Sequence, residues 1–166
     1  MLWYEIVSRT DHAFTSATFG LARCLLAQGA RGSALAAYDR VPESSSSYAD
    51  AQIARIRCLI ASDDGHEPDL ADLRSAAAGL ESLHLDDEQR ARLTSELLEK
   101  AGALVVERGT LAPDPDQRLL GFALTERDLR AGLEQSYREL AWLAKASSER
   151  IRLVDLANEV RPRTWT

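Results

Sequence analysis

The sequence predicts an all-α fold in which antiparallel helix pairs stack as a right-handed solenoid. Its clearest sign is an internal repeat, because Arg-Cys-Leu-Leu-Ala at residues 23–27 returns as Arg-Cys-Leu-Ile-Ala at residues 57–61. The offset of about 34 residues is the length of one tetratricopeptide repeat, a helix pair that buries its apolar face only by stacking on its neighbours. The composition agrees, since aromatic residues make up only 6% and Ala and Leu, which favour helices, supply most of the apolar content. Because such solenoids usually present binding surfaces, the repeat predicts a tetratricopeptide-like (TPR-like) binding module.

The charge balance narrows the class of partner. The chain has 166 residues, of which 45% are hydrophobic and 28% charged, and its formal net charge is -6. Binding to nucleic acids or to anionic membranes requires a basic protein surface. Because this protein is acidic, we expect neither as a partner. Its apolar runs are too short to cross a bilayer, and its start lacks the features of a secretory signal. Two cysteines do not suggest a disulfide framework, and we expect a cytoplasmic protein without a membrane span.

The first full repeat is predicted at residues 11–42. Apolar residues recur at helical spacing up to Gly29, whose permissive backbone ends helix A. Helix B begins near Arg31, and Pro42 stops it. Such a repeat has small residues where its two helices cross and a large residue in helix B. Ala22, Ala34 and Tyr38 stand at these places.

A degenerate second repeat is predicted at residues 46–84. Its helix A, at about 48–62, contains the repeated pentapeptide. The acidic turn at 63–68 is longer than in the first repeat, and helix B follows at about 69–83. The register of the two repeats is therefore lost within this segment.

A long helix is predicted at residues 86–109. Asp86 stands three residues before Gln89, the spacing of a capping box at a helix start. Leucines and alanines then recur on one face until Gly109 ends the helix. The stretch 110–116, with two prolines, is expected to be a loop.

The remaining segments complete a single TPR-like domain over residues 1–166. Residues 119–124 are expected to form a short turn of helix, and residues 125–162 a C-terminal helix pair whose second helix is capped by Ser147. Residues 1–10 are expected to be a partial helix of an upstream repeat. On this interpretation the chain is a piece cut from a longer protein.

Several sequence runs point to one family. They are Glu-Ser-Ser-Ser-Ser-Tyr at 43–48, Thr-Glu-Arg-Asp-Leu-Arg at 125–130, Ser-Tyr-Arg-Glu-Leu-Ala at 136–141 and Ala-Asn-Glu-Val-Arg-Pro-Arg-Thr-Trp at 157–165. Together they resemble the C-terminal TPR region of the actinobacterial serine/threonine protein kinase G family. The resemblance covers nearly the whole chain and is weakest at residues 63–85.

The resemblance implies a noncatalytic role for this chain. In that family a kinase domain and a rubredoxin-like metal module precede the TPR region, which takes part in substrate recruitment, kinase regulation and dimerisation. The sequence itself contains no Gly-rich phosphate loop, His-Arg-Asp or Asp-Phe-Gly motif, and no Cys-x-x-Cys pair. We therefore predict no catalytic residue, metal site or cofactor here, and ATP binding only in the parent protein. The implied partners are a protein or peptide, its own kinase domain and a second copy of the chain.

The partner-binding candidates lie on the predicted concave groove. Arg23 and Arg57 occupy the same helix-A position in successive repeats, and two guanidinium groups there could hold the carboxylates of an acidic peptide. Phe19 and Leu26 complete this set of groove candidates. The alternative is that both arginines are solvated and paired with nearby acids such as Asp50 or Glu43.

The other reactive residues are expected to be structural. Cys24 and Cys58 face helix B in this register and are predicted to be buried thiols, too far apart for a disulfide. The three histidines lack metal-ligand spacing and are expected at the surface. Trp142 lies beside the apolar stripe of its helix and is expected to be partly packed.

Two further functional classes stay open. One is a stand-alone TPR adaptor with no kinase attached, which an upstream reading frame encoding kinase motifs would exclude. The other is an enzyme with a helical active site, which a convergent cluster of perturbed titratable groups would support.

Overall fold

The computed structural model describes residues 15–62, 66–109 and 117–162. Within these ranges the chain forms seven α-helices and one two-stranded hairpin, so the all-α prediction is confirmed. No helix in the same ranges is both long and apolar enough to span a membrane. The segments predicted at residues 1–10 and 110–116 lie outside the described residues.

Four helices follow one another in the described part of the N-terminal unit, Met1–His84. They are α1 (Thr15–Leu26), α2 (Arg31–Tyr38), α3 (Tyr48–Ile60) and α4 (Leu70–Ser82). Each helix packs against the next one along the chain, which is the arrangement of stacked TPR-like helix pairs. The assignment of residues 1–166 to one domain, and of repeats to 11–42 and 46–84, stays a prediction.

Gly29 shapes the turn between α1 and α2. Its φ angle is +69°, a left-handed conformation that residues with a side chain rarely adopt. The amides of Gly29 and Ala30 donate hydrogen bonds to the carbonyl oxygens of Leu26 and Leu25, each at 2.9 Å. These bonds satisfy the last carbonyls of α1 and let α2 fold back against it.

The core of the N-terminal unit combines small side chains at the helix crossings with larger ones around them. Ala22, Ala34 and Ala51, one from each of the first three helices, have no exposed surface. Alanine at these places lets the helix backbones approach closely, as the sequence predicts for the first repeat. Cys58 is buried as expected, Cys24 is only half-buried, and neither forms a disulfide.

Arg31 connects three helices of this unit. It lies at the start of α2, and its Nε and Nη2 atoms donate to the carbonyl oxygens of Cys58 and Leu59 at 3.1 and 2.7 Å. Those carbonyls belong to the last turn of α3, where backbone oxygens lack helical partners and attract positive charge. Nη1 forms an ion pair with Asp72 of α4 at 3.5 Å and also contacts His66. His66 lies at the surface, with 39% of its side chain exposed, and its ring contacts both Arg31 and Asp72.

Asp72 also takes part in the cap that begins α4. The Asp69 carboxylate accepts a hydrogen bond from the Asp72 amide at 2.9 Å, and the Asp72 carboxylate accepts one from the Asp69 amide at 3.3 Å. This reciprocal pair is a capping box with aspartate in place of the usual glutamate. It fixes the helix start that follows the long acidic turn.

Three helices and a hairpin form the described part of the C-terminal unit, Leu85–Thr166. They are α5 (Asp87–Arg108), β1 (Arg118–Leu119), β2 (Phe122–Ala123), α6 (Glu126–Leu143) and α7 (Ser147–Val160). Helix α6 packs against both α5 and α7. The core of the C-terminal unit is a set of buried leucines on the facing stripes of α5 and α6: Leu93, Leu97, Leu98, Leu104, Leu129, Leu133 and Leu140.

The helix caps of this unit agree with the sequence at two places and differ at a third. Asp86 accepts from the Gln89 amide at 2.7 Å, and Gly109, with φ of +82°, ends α5. The cap predicted at Ser147 is wrong, because α7 begins at Ser147 and its N-cap residue, Ala146, makes no side-chain bond. Alanine has no side-chain acceptor, so the backbone alone starts this helix.

The prediction of a helical turn at residues 119–124 is wrong, because this segment forms the β-hairpin. Strand β1 pairs antiparallel with β2, and Leu119 stands opposite Phe122. The two turn residues, Leu120 and Gly121, have φ angles of 50° and 86°, and such positive angles are typical of tight hairpin turns. The hairpin buries Leu119 and lays the Phe122 ring on α6 at Gly132, where a Cβ atom would lie 2.9 Å from the ring.

Candidate functional site

A groove of about 530 Å³ lies in the N-terminal unit and collects side chains from three helices. Leu26 comes from the end of α1 and Tyr38 from the end of α2, while α3 supplies most of the remaining lining. The α3 residues in the lining include Asp50, Ile53, Arg57 and Cys58. We call this cavity the N-terminal groove.

Tyr38 is the residue around which the predicted candidates gather. It is only 5% exposed, and its ring meets the ring of Phe19 edge to face, with centroids 5.8 Å apart. Burial raises the pKa of the Tyr38 hydroxyl, the neighbouring Cys58 thiol raises it further, and Arg23 opposes both effects. Arg23 lies one helical turn beyond Phe19 on α1, so it shares the face of α1 from which the Phe19 ring meets Tyr38.

The structure brings the four predicted candidates to one region in different roles. Leu26 and Arg57 line the N-terminal groove. Arg23 is exposed close to Tyr38, and the half-buried Phe19 supports the Tyr38 ring. Sequence reasoning treated Tyr38 only as a packing residue. The signal that could have identified it is its size, because Tyr38 is the large residue that such a repeat places in helix B.

The charges along the groove are mixed. Asp50 and Arg57 both line it from α3, and two helical turns separate them by roughly 10 Å along the helix. Arg57 is exposed and also interacts within the chain, so a ligand would share or replace that contact. The groove therefore offers one cationic and one anionic side chain from α3, with Ile53 between them along the helix and Leu26 of α1 also in the lining.

The second group with a raised pKa lies in the other unit. Burial raises the pKa of the Glu99 carboxyl, and the neighbouring Glu96 raises it further. The hydroxyl of Tyr137 donates a hydrogen bond to Glu99. Tyr38 and Glu99 thus belong to different units, and within the described ranges no group of three His, Cys, Asp or Glu residues is placed to hold a metal ion.

The expectation that Trp142 is partly packed is wrong, since it is 83% exposed. The stripe that α6 buries includes Leu133, Tyr137 and Leu140. Each residue turns a helix by about 100°, so Trp142, two positions beyond Leu140, points away from that stripe. Exposure of this size makes Trp142 a surface feature of the C-terminal unit.

Comparison with known proteins identifies the family. The family model described as "Protein kinase G tetratricopeptide repeat" matches residues 1–164. A serine/threonine-protein kinase PknG of Mycolicibacterium smegmatis is 34% identical over 160 residues, and one of Mycobacterium leprae is 32% identical over the same length. Each alignment covers 96% of this chain and 20% of the relative, so the chain spans about a fifth of these kinases. The chain belongs to the protein kinase G tetratricopeptide-repeat family.

Proposed function

We propose that this chain is the noncatalytic protein-interaction region of a protein kinase G-like serine/threonine kinase. Two observations support the proposal: the relatives are named as serine/threonine-protein kinases, and this chain corresponds to only 20% of each. Phosphoryl transfer and ATP binding then belong to the rest of the parent protein, and this chain contributes binding without a cofactor of its own. We further propose a cytoplasmic location, which the two cysteines that form no disulfide favour.

The observation that carries the proposal is the N-terminal groove itself. Solenoids of helix pairs bind partners along surfaces that their first helices line, and here α1 and α3 supply both apolar and charged lining. The role that fits best is recruitment of a protein substrate to the kinase. Contact with the kinase domain of the same protein, and dimerisation with a second copy, are the other roles that this region would serve.

The lining residues favour a particular kind of occupant. A partner carboxylate would meet the guanidinium of Arg57, with Arg23 nearby to add positive potential. A uniformly acidic segment would be repelled by Asp50. The occupant fits better if it carries a hydrogen-bond donor or a cation that reaches Asp50, about 10 Å from the partner carboxylate at Arg57. An apolar side chain between the two would pack on Leu26 and Ile53. The occupant is therefore an extended peptide segment with a carboxylate at one end.

Selection of peptides from a random library on the 166-residue chain, followed by calorimetry, tests this assignment. We expect Arg57→Ala to weaken a selected peptide by about tenfold and Arg23→Ala by a smaller factor, because each removes a charged contact. Neither variant should lower the melting temperature. Arg40→Ala, an exposed arginine of the same unit outside the groove lining, is the matched control and should bind as wild type does. Unchanged affinity in Arg57→Ala would remove the groove from the proposal.

The stand-alone adaptor remains the competing reading of the same groove. The gene sequence distinguishes the adaptor from the kinase region. If the upstream reading frame encodes His-Arg-Asp and Asp-Phe-Gly motifs, the chain is part of a kinase. An isolated frame without those motifs would leave the groove assignment intact and refute the kinase assignment.

A further inference from the structure

A second groove, of about 410 Å³, lies in the C-terminal unit at the end of α6. Helix α6 supplies Arg138, Ala141 and Trp142, and α7 supplies Arg150 and Val154. We call it the Trp142 groove. It shares no residue with the N-terminal groove, and neither the family match nor the names of the relatives assign it a role.

Packing within the unit does not account for Trp142. Trp142 is 83% exposed and therefore contributes little to the core. A partner that covered it could bury about 150–250 Å² of its surface. A single exposed apolar residue is common on proteins, but Trp142 also lines a groove together with two arginines. Tryptophan and arginine are also the residue types most enriched among the residues that dominate binding energy. Trp142 next to two arginines therefore indicates an interaction surface.

Hydrogen bonds within the unit hold both arginines at the groove. Arg150 donates from Nη2 to the carbonyl oxygen of Ala144 at 2.9 Å, which uses one of its five N–H donors and anchors the guanidinium at the end of α6. Arg138 donates from Nε and Nη2 to Glu134, one helical turn earlier, at 3.1 and 2.9 Å, and from Nη2 to Asn158 at 3.4 Å. A ligand carboxylate would compete with Glu134 for Arg138, whereas Arg150 keeps further donors. Arg150 is therefore the stronger candidate for direct contact.

The charge of the lining selects the occupant. Of the described residues that line the groove, two are arginines and the other three are apolar. Glu134 pairs with Arg138 from outside the lining, but no carboxylate belongs to the described lining itself. This differs from the N-terminal groove, where Asp50 stands in the lining. A surface of this kind complements carboxylates that flank an apolar side chain, since guanidinium groups pair with carboxylates and the indole face covers apolar groups.

We propose that the Trp142 groove binds an acidic peptide segment of a partner protein, one in which an aromatic or aliphatic side chain lies between Asp or Glu residues. The apolar side chain packs on the Trp142 indole and on Val154. A neighbouring carboxylate pairs with Arg150, and a second one shares Arg138 with Glu134. This is a binding site in addition to the N-terminal groove, and it does not depend on the role proposed for that groove.

The test uses the 166-residue chain and a short fluorescein-labelled peptide in which Glu alternates with Leu and Phe. Fluorescence anisotropy should detect binding that weakens as salt is added, because exposed charge pairs are screened. We expect Trp142→Ala and Arg150→Gln each to weaken binding by about tenfold. The matched controls are Val106→Ala, an apolar residue 68% exposed on α5, and Arg152→Gln, an exposed arginine of α7 outside the lining. Both controls, and Arg57→Ala, should bind the peptide as wild type does.

Four outcomes would overturn the proposal. The first is unchanged affinity in both Trp142→Ala and Arg150→Gln, each of which alters an exposed side chain and should leave the melting temperature near that of wild type. The second is equal binding of a peptide in which Gln replaces every Glu. The third is binding to anionic lipid vesicles in place of the peptide. The fourth is a change in oligomeric state of Trp142→Ala at unaltered peptide affinity, which would make this face a contact between copies of the chain.

Discussion

Tyr38 connects the predicted residues of the N-terminal groove through contacts that local sequence pattern does not encode. Periodicity places Tyr38 on the buried face of α2, and it is buried. Its edge-to-face contact with Phe19, and its proximity to Arg23 and Cys58, depend on how three helices pack together. The same limit explains Trp142: the sequence places it on α6 but does not tell how wide the buried stripe is. Residue types and faces were thus predictable, whereas neighbours across helices were not.

Replacing Glu99 by glutamine should change how stability depends on pH. Burial raises the folded-state pKa of Glu99 above its ordinary value of 4.5, so the folded state binds the proton more tightly than the unfolded state does. The stability linked to this site is therefore complete below the unfolded pKa and is lost as pH rises through the folded pKa. Glu99→Gln stays neutral and keeps an acceptor for the Tyr137 hydroxyl. Its free energy of unfolding, relative to wild type, should increase from about pH 4 to about pH 7.

Urea denaturation of both proteins at several pH values measures this difference. A difference that stays constant with pH would contradict the role given to Glu99, and so would one that decreases toward neutral pH.

Two glycines in the same unit should respond in opposite ways to alanine. A Cβ atom at Gly132 would lie 2.9 Å from the Phe122 ring and 3.0 Å from Leu98, so Gly132→Ala should cost about 1–3 kcal/mol by forcing the hairpin away from α6. Gly102, inside α5, has no atom within 4 Å of such a Cβ, and Gly102→Ala should stabilise by about 0.5–1 kcal/mol through helix propensity. Thermal denaturation measures both effects. Equal effects in the two variants would mean that Phe122 does not lie against Gly132.

At the scale of the elements, the sequence predicts helices well where their ends have local signals. Asp86 and Gly109 delimit α5 as expected, and Gly29 ends the first helix region through its positive φ. The hairpin at Arg118–Leu119 and Phe122–Ala123 was missed because a two-residue strand is too short to show a period, and only the turn residue Gly121 gives a hint. The sequence pattern does not predict the capping box at Asp69, because the N3 residue of α4 is Asp72 and not the usual glutamate.

Arg31→Ala should lower the free energy of unfolding of the N-terminal unit more than the loss of an ordinary surface arginine does. The variant leaves the carbonyl oxygens of Cys58 and Leu59 without their charged donor and removes the ion pair with Asp72. We expect a loss of about 2–3 kcal/mol in the free energy of unfolding, since charged hydrogen bonds contribute about 1.5–3 kcal/mol each and water replaces part of the loss. Arg40→Ala is the control, with an effect within about 0.5 kcal/mol.

Amide hydrogen exchange locates the Arg31 effect. Exchange should accelerate first at the start of α4 and the end of α3, which Arg31 contacts. Equal melting temperatures for Arg31→Ala and Arg40→Ala would show that these contacts do not hold the helices together.

At the scale of the whole molecule, the chain corresponds to one region of its longer relatives. The family match over residues 1–164 establishes its class, and the relatives extend far beyond the part that it covers. Within it, the two grooves differ in chemistry: the N-terminal groove has charges of both signs, and the Trp142 groove has only positive ones. This difference predicts that the two grooves select different peptides, and two single variants separate them: Arg57→Ala should weaken only the peptide of the N-terminal groove, and Arg150→Gln only that of the Trp142 groove.

The central claim is that the N-terminal groove is a peptide-binding site, and methyl NMR tests it most directly. The chain, labelled at Leu and Ile methyl groups, is titrated with the peptide selected for that groove. We predict that the methyl resonances of Leu26 and Ile53, which line the groove, shift and saturate together, while those of Ile151 and of the buried Leu93 stay unchanged. Saturable shifts at Ile151 with none at Leu26 and Ile53 would contradict the claim.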